Sequence, residues 1–437
     1  MMRRFRESAV VTSLALAIPA FSQEERAVDH FAGVGVRAMA MGGAYSGVAD
    51  DFTAIFWNPA GLVQVQEREV HVAFLRNGVT NDSELDGTAS SSELSNTRFG
   101  SLGFVYPYPV YRGSLVFAAG FNRVKDFDWS LRDRGFVAAD SLSFDNYFSH
   151  EGELAMTSVA AAVDVSPSIS LGVAASLISG EDEAVNEYES LDSEDYFLEK
   201  RFTAREVFVD DYETTYQVTL GAMVRSPVAR FGATVGTGPT HEVSYTFKAP
   251  PDAGWNSIEY DDGSLVETPN EQIRDSYEIS LPLEFGVGAS LRPVSGLLVA
   301  AGVHVAEWTQ TEYRGKDESE VRANTSFESQ YRDGTRYHFG MEWQVPVVAL
   351  DLRAGYYTDP LPFVGPRDPG REVDSETNPL VIASRDRAFL TLGAGLELEE
   401  AVEVNLAWNR GTFERLEHPL KEEVTVDRAF IGLSYHF

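Results

Sequence analysis

The chain of 437 residues contains no cysteine. That absence removes disulfide scaffolds, thiolate metal sites and cysteine nucleophiles together, and it suits a protein that crosses an oxidising periplasm. Basic residues are scarce: 35 Lys and Arg stand against 67 Asp and Glu, a formal charge of −32. A chain this acidic repels phosphate backbones, so no nucleic-acid partner is expected. Long hydrophobic runs are also missing. A membrane-spanning helix needs ~20 apolar residues, and no stretch beyond the N-terminus approaches that, which argues against a helical inner-membrane protein. The eight histidines (30, 71, 150, 241, 304, 338, 418 and 436) show no ligand spacing such as HxxxH, so neither a metal nor another cofactor is expected. Ser434 and His436 share one face of the terminal segment, yet no partner acid accompanies them, and the chain is not read as an enzyme.

The N-terminus has the grammar of an export signal. Arg3, Arg4 and Arg6 form a positive region, residues 9–20 form a short apolar core, and Ala20 and Ser22 supply small residues before a cleavage point at Gln23. Removing residues 1–22 takes away those three Arg and Glu7, leaving 32 basic against 66 acidic residues and a mature charge of −34.

The remainder alternates. A transmembrane β-strand turns apolar side chains to lipid and small or polar ones to the lumen with period two. In 278–291, Ile279, Leu281, Leu283, Phe285, Val287, Ala289 and Leu291 oppose Glu278, Ser280, Pro282, Glu284, Gly286, Gly288 and Ser290. In 336–345, Tyr337, Phe339, Met341 and Trp343 oppose Arg336, His338, Gly340 and Glu342, and 387–398 repeats the pattern. Strands are expected at 67–76, 97–106, 113–124, 153–164, 168–180, 206–226, 228–247, 274–292, 296–310, 330–345, 348–358, 386–398, 402–413 and 424–437. The connections then alternate, with six short turns and seven long polar segments at 77–96, 125–152, 181–205, 248–273, 311–329, 359–385 and 414–423. This parity describes an all-β, fourteen-stranded antiparallel transmembrane barrel with both termini in the periplasm. Residues 181–199 hold nine acids and no base and read as a solvated external loop. A divalent-cation bridge from them to lipopolysaccharide is the sharper alternative.

Fourteen strands enclose more space than wall side chains fill. Residues 23–66 are the terminal non-strand segment large enough to enter it, which divides the chain into signal 1–22, plug 23–66 and barrel 67–437. Within the plug, residues 33–62 are dense in Gly and Ala, carry Asp50 and Asp51, and end in Asn58-Pro59-Ala60-Gly61. Small residues permit close backbone packing, and Asn-Pro followed by Gly marks a tight turn. On these residues the segment resembles the N-terminal hatch, with its Asn-Pro-Ala motif, of the FadL-type outer-membrane transporters of long-chain fatty acids and hydrocarbons. The resemblance implies a passive, hatch-gated route for hydrophobic small molecules, with lateral exit beside a kinked third strand. The matching strand is 113–124, where Gly120 can serve a kink and no Pro is present.

On that reading Arg336 or Arg353 receives a carboxylate while Tyr357, Phe389, Phe430 and Met223 line the chain of the ligand. A second reading of Glu342, Asp351 and Arg353 is an ion-pair network that fastens the plug. The final strand, with Gly432, Tyr435 and the C-terminal Phe437, resembles the signal read by barrel-assembly machinery, and its aromatic end suits an interfacial girdle. Expected partners are thus a hydrophobic ligand, outer-membrane lipid and lipopolysaccharide, and the assembly machinery, with the barrel a monomer. Related hatch-bearing barrels of the PorV type serve instead as secretion or surface-attachment partners. An open porin is disfavoured, because a hatch would block it.

Overall fold

The computed structural model describes residues 31–437 apart from 138–140, 250–253, 269–270, 316–323, 325–326, 329–330, 363–380, 400 and 418–419. The export signal and the first residues of the expected plug lie outside these. In chain order, the first six wall strands are β1 (Glu69–Leu85), β2 (Thr88–Tyr108), β3 (Leu115–Asp126) continued by β4 (Trp129–Val137), β5 (Leu142–Ser166), β6 (Ile169–Leu191) and β7 (Glu199–Arg225). The seventh wall strand is β8 (Ala229–Gly236) continued by β9 (Thr240–Ala249), followed by a small external hairpin, β10 (Ser257–Tyr260) and β11 (Leu265–Glu267). The eighth is β12 (Glu271–Ser280) continued by β13 (Glu284–Val294), and the ninth is β14 (Leu297–Ala306) continued by β15 (Glu312–Arg314). The last five are β16 (Gly334–Gln344), β17 (Leu350–Asp359), β18 (Val381–Leu398), β19 (Val402–Glu417) and β20 (Leu420–His436).

Neighbouring strands pair antiparallel throughout, and β1 closes on β20 from Glu69↔His436 to Leu85↔Leu420. Fourteen wall strands result, as the parity of the connections implied. Closure leaves no free edge, the condition for satisfying backbone polar groups in hydrocarbon. Outward positions carry the apolar band: Phe339, Met341 and Trp343 are exposed on β16, while the alternating His338 and Gly340 are buried.

Several expected loops are continued strand. The connection 77–96 is a hairpin in which β1 and β2 stay paired to Leu85↔Thr88. Its two-residue turn, Asp86-Gly87, has positive φ at both residues (47° and 83°), the left-handed geometry that Asp-Gly favours in tight hairpins. The acidic run is likewise no free loop: residues up to Leu191 are β6, paired with both β5 and β7. Its charges suggest a loop because loops carry charge, yet a strand that extends past the apolar band carries charge as well. β4 continues β3 along β5 in the same register and packs over β1, where Asn81 Nδ2 donates to the Ser130 carbonyl at 3.1 Å.

The continuous alternation expected over 278–291 is also corrected. Ile279 and Leu281 are buried and face inward, whereas Leu283, Phe285 and Val287 are exposed and face outward. The pattern changes face at Pro282, between β12 and β13. Proline lacks the N–H that the ladder needs, and an irregular step of one residue exchanges the two faces.

Candidate functional site

Residues 31–65 lie within the ring of strands. A two-turn arrangement of short helices, α1 (Val36–Ala40) and α2 (Ala54–Trp57), leads into a 3-10 turn at Pro59–Gln64. The tightness of this segment against the wall explains the glycines of the inward face. A Cβ at Gly288 would stand 2.8 Å from the Gly47 nitrogen, and one at Gly355 within 2.4 Å of the Gly42 nitrogen. Gly340 faces Met41, Gly172 faces Pro59, and Gly432 faces Val36, so contacts come from strands around the whole circumference.

The Asn58-Pro59-Ala60-Gly61 motif is a fully hydrogen-bonded corner. Asn58 is completely buried; its Oδ1 accepts from the Ala60 N–H at 3.1 Å, and its Nδ2 donates to the carbonyls of Ser46 (2.9 Å) and Ala222 (3.2 Å). The amide thus holds the turn, ties it to the preceding loop and joins both to β7. Pro59 begins the 3-10 turn, where its fixed φ fits and its missing N–H costs nothing. Gly61 packs beneath the Ala49 carbonyl, leaving no room for a side chain.

The two aspartates divide their work. Asp50 accepts from Arg37 Nη1 at 2.7 Å and from Arg230 Nη1, on β8, at 3.0 Å. Burial alone would raise the Asp50 carboxyl, but the two guanidiniums outweigh it and hold it below the ordinary carboxylate range. Asp51 turns inward to the segment itself, accepting from the Thr53 N–H (2.8 Å) and hydroxyl (2.6 Å) and from Tyr45 OH (2.7 Å).

Arg37 continues the network to β16, three wall strands from β8. It donates to Glu342 Oε2 through Nε at 2.7 Å and to Oε1 through Nη2 at 2.9 Å, and Arg353 Nε donates to the same Oε2 at 2.7 Å. Arg353 has a fully covered side chain that also reaches Asp351, Glu403 and Asn405. A second polar chain runs through two histidines. His338 Nδ1 donates to the Gly42 carbonyl (2.8 Å), His304 Nδ1 donates to His338 Nε2 (3.1 Å), and Ser46 Oγ donates to His304 Nε2 (2.8 Å). This single tautomer assignment satisfies every ring nitrogen of the pair, and Trp57 lies over the His304 ring.

Between this inner segment and β3, β5, β6, β7 and the seventh to tenth wall strands lies a cavity of about 140 Å³. Its apolar side is formed by Ile55, Phe56, Leu154, Met156, Ile178 and Leu281; Asn122, Gln217, His241 and Arg336 supply polar atoms. Arg336 donates to Asp359 at 2.6 Å and lies over the Phe31 ring. Of the residues expected to receive a ligand, Arg336 alone borders this cavity. Tyr357 and Phe389 stack face to face at 4.6 Å beneath Arg428, whose Nη1 donates to the Phe31 carbonyl at 2.8 Å. Phe430 packs in the apolar cluster shared with the inner segment, and Met223 lies against Gln64. Arg37, Arg230, His304 and His338 went unassigned in the sequence; the inward parity of His304 and His338 on adjacent strands was the available signal.

The third strand leaves the second above Asn122↔Ser101, with Val124 bulged from the β3–β5 ladder. There the inner segment takes over, Ala32 N–H donating to the Val124 carbonyl at 3.1 Å. Gly120, the residue expected to kink this strand, sits lower, in regular register with Gly103, and makes room for the Phe52 ring. At the chain end, Phe437 exchanges backbone hydrogen bonds with Arg68 (3.0 and 3.3 Å) and stacks on Tyr435 at 5.5 Å; Gly432 faces Val36.

No protein-family model and no curated protein matches this chain. Solved structures match its fold. The Pseudomonas putida toluene transporter TodX superposes with a TM-score of 0.60 at 14% identity, covering 93% of this chain and 99% of that one. A Pseudomonas aeruginosa FadL homologue gives 0.60 at 13% identity, covering 94% and 100%. The monoaromatic hydrocarbon channel CymD gives 0.54 at 15% identity, covering 94% and 99%. At such identities the likeness is one of fold.

Proposed function

We propose that this protein is a bacterial outer-membrane channel that admits small hydrophobic molecules passively, with residues 23–66 as a hatch that the ligand displaces. The observation that carries the reading is the cavity between inner segment and wall. An apolar engineered cavity of ~150 Å³ accepts benzene, so about 140 Å³ suits one aromatic ring or a short chain better than an extended acyl chain. The solved structures of like fold named for toluene and monoaromatic hydrocarbons support the same class of cargo.

Arg353 is already surrounded by Glu342, Asp351, Glu403 and Asn405, so it serves as a fastener of the hatch, together with Arg37 and Asp50. Asn58 and Pro59 fix the hatch corner, and the stacked Tyr357 and Phe389 support its first residues rather than the ligand. Arg336, at the cavity edge, orients a polar or π-rich end of the cargo. Insertion relies on the assembly machinery reading the closing strand, and the barrel works as a monomer in contact with lipid and lipopolysaccharide.

Crystals soaked in bromobenzene test the reading, because anomalous scattering locates the halogen. The expected site is the space bounded by Phe56, Met156 and Leu281. Halogen bound elsewhere only, or a cavity that stays empty while secretion components co-purify, would contradict it.

A further inference from the structure

The wall of the cavity carries a row of neutral polar side chains. Ser158 on β5, Ser176 on β6 and Gln217 on β7 stand abreast in successive register, and all three line the space. Asn122 on β3 joins them at one end. Gly120 pairs with Ser158 and Asn122 with Met156, so Asn122 is the diagonal neighbour of Ser158 on the inward face. All four polar residues are buried, and none of them ionises.

The row holds more hydrogen-bonding capacity than it uses. Ser158 and Ser176 share one hydrogen bond at 2.7 Å, which employs one of their two hydroxyl protons. Asn122 is 1% exposed, and its Oδ1 has no hydrogen-bond partner among the described residues. Its neighbour Ser101 on β2 is engaged with His71 Nε2 at 3.0 Å, while Met156 and Val124 beside it are apolar. His241, which borders the same cavity from β9, repeats the arrangement: it is 1% exposed and its Nδ1 has no partner among the described residues. A buried acceptor without a partner forfeits the hydrogen bond it made in water, so folded proteins keep few of them. An apolar space bounded by such atoms complements a molecule that is mostly apolar and brings one polar group of its own.

The chemistry of that group follows from the row. An amide presents both an acceptor and donors, and a hydroxyl answers with both, whichever way the Asn122 amide is turned. A carboxylate can only accept. The cations at the boundary are also engaged already, Arg336 by Asp359 at 2.6 Å and Lys125 over the Trp308 ring at 5.5 Å. A plain hydrocarbon leaves every one of these polar atoms unanswered. Met156 is the cross-strand neighbour of Asn122, a separation of about 5 Å between Cβ atoms. A ring resting on Met156 and Phe56 therefore carries a hydroxyl to the space between Asn122 Oδ1 and Ser158 Oγ.

We propose that the cargo this cavity prefers is a neutral one-ring molecule bearing a hydroxyl, a phenol or an aromatic alcohol, and that Asn122 distinguishes it from the plain hydrocarbon. This rests on the cavity being the ligand site, as proposed above.

Bromine again provides the test. Crystals are soaked over a concentration series in para-bromophenol, bromobenzene or para-bromobenzoate, at a pH well below the phenol pKa of ~10. The anomalous signal beside Met156 gives the half-saturating concentration of each. In the wild type, bromophenol should reach it at a concentration about five- to tenfold lower than bromobenzene, the weight of roughly one hydrogen bond. Asn122→Leu, similar in size, should erase that preference while bromobenzene still binds. Equal half-saturation in the wild type, a preference for the benzoate, or a preference for the phenol that survives in Asn122→Leu would overturn the assignment, with the cavity still a ligand site. Bromine from none of the three inside the wild-type cavity would instead overturn the function on which the assignment rests.

Discussion

Arg37 of the inner segment grips Glu342 of the wall with two parallel hydrogen bonds, at 2.7 and 2.9 Å. The fork is bidentate, the geometry in which Arg gains most over Lys. It couples the segment to β16, while Asp50 couples it to Arg230 on β8, so one guanidinium joins two wall strands through the inner segment. Arg37→Ala should loosen the hatch without unmaking the barrel. The cost falls below the ~3–5 kcal/mol of an orphaned buried charge, because Arg230 and Arg353 still face the two acids. Planar-bilayer conductance should rise and heat-modifiable yield should stay unchanged; conductance equal to wild type would remove the clamp.

Asn58→Ala deletes three hydrogen bonds, about 3 kcal/mol at roughly 1 kcal/mol each. Asn58→Asp keeps the acceptor for the Ala60 N–H but sets a charge against the Ser46 and Ala222 carbonyls, so it should be the worse of the two. Limited proteolysis of the hatch in folded barrels checks the order. Equal protection of both variants would show that the two carbonyl contacts contribute nothing.

Gly355→Leu places a side chain where the Met41–Gly42 backbone now lies. Overpacking of this kind costs ~1–3 kcal/mol, and here the hatch yields more easily than a closed ladder. The barrel should form with its hatch displaced, seen as raised conductance like that of Arg37→Ala. A normal, tight hatch would mean the close approach is not needed.

Phe437→Asp puts a charge beside Tyr435 and Arg68 at the closing seam. Heat-modifiable barrel in the membrane should fall severalfold, with unfolded protein accumulating in the periplasm. Wild-type levels would dismiss the assembly signal.

Tags at Asp86-Gly87 should be reachable on intact cells, because this hairpin tip ends the longest paired extension of β1 and β2. Labelling of the turn at 295–296 instead would invert the topology.

The fourteen wall strands were legible because outward apolar residues recur at period two and loop lengths alternate. The extent of each strand was not, since polar residues in an extramembrane hairpin resemble those of a loop; Asp86-Gly87 was the overlooked turn. Pro282 was visible and was placed in the inward row, although proline within a strand marks a break. The hatch corner could be located from Asn58-Pro59-Ala60-Gly61. The wall half of its clamp, Glu342 and Arg353, was legible as a facing pair on adjacent strands; Arg37 was not, because the segment meets the wall only in the folded barrel. Tyr357 and Phe389 were chosen for inward parity and aromaticity, properties that a packing residue shares with a binding one.

The central claim is that a one-ring hydrophobic molecule passes through the cavity, and filling that cavity tests it most directly. Ser158→Trp and Met156→Trp each put an indole into the space without touching the Arg37 clamp or the Asn58 corner. Uptake of radiolabelled toluene would be measured in cells whose own hydrocarbon channels have been deleted, per heat-modifiable barrel. The account predicts uptake well above the empty-vector baseline for the wild type and a fall to that baseline for both variants. Uptake unchanged by a filled cavity, in barrels that fold normally, would contradict it.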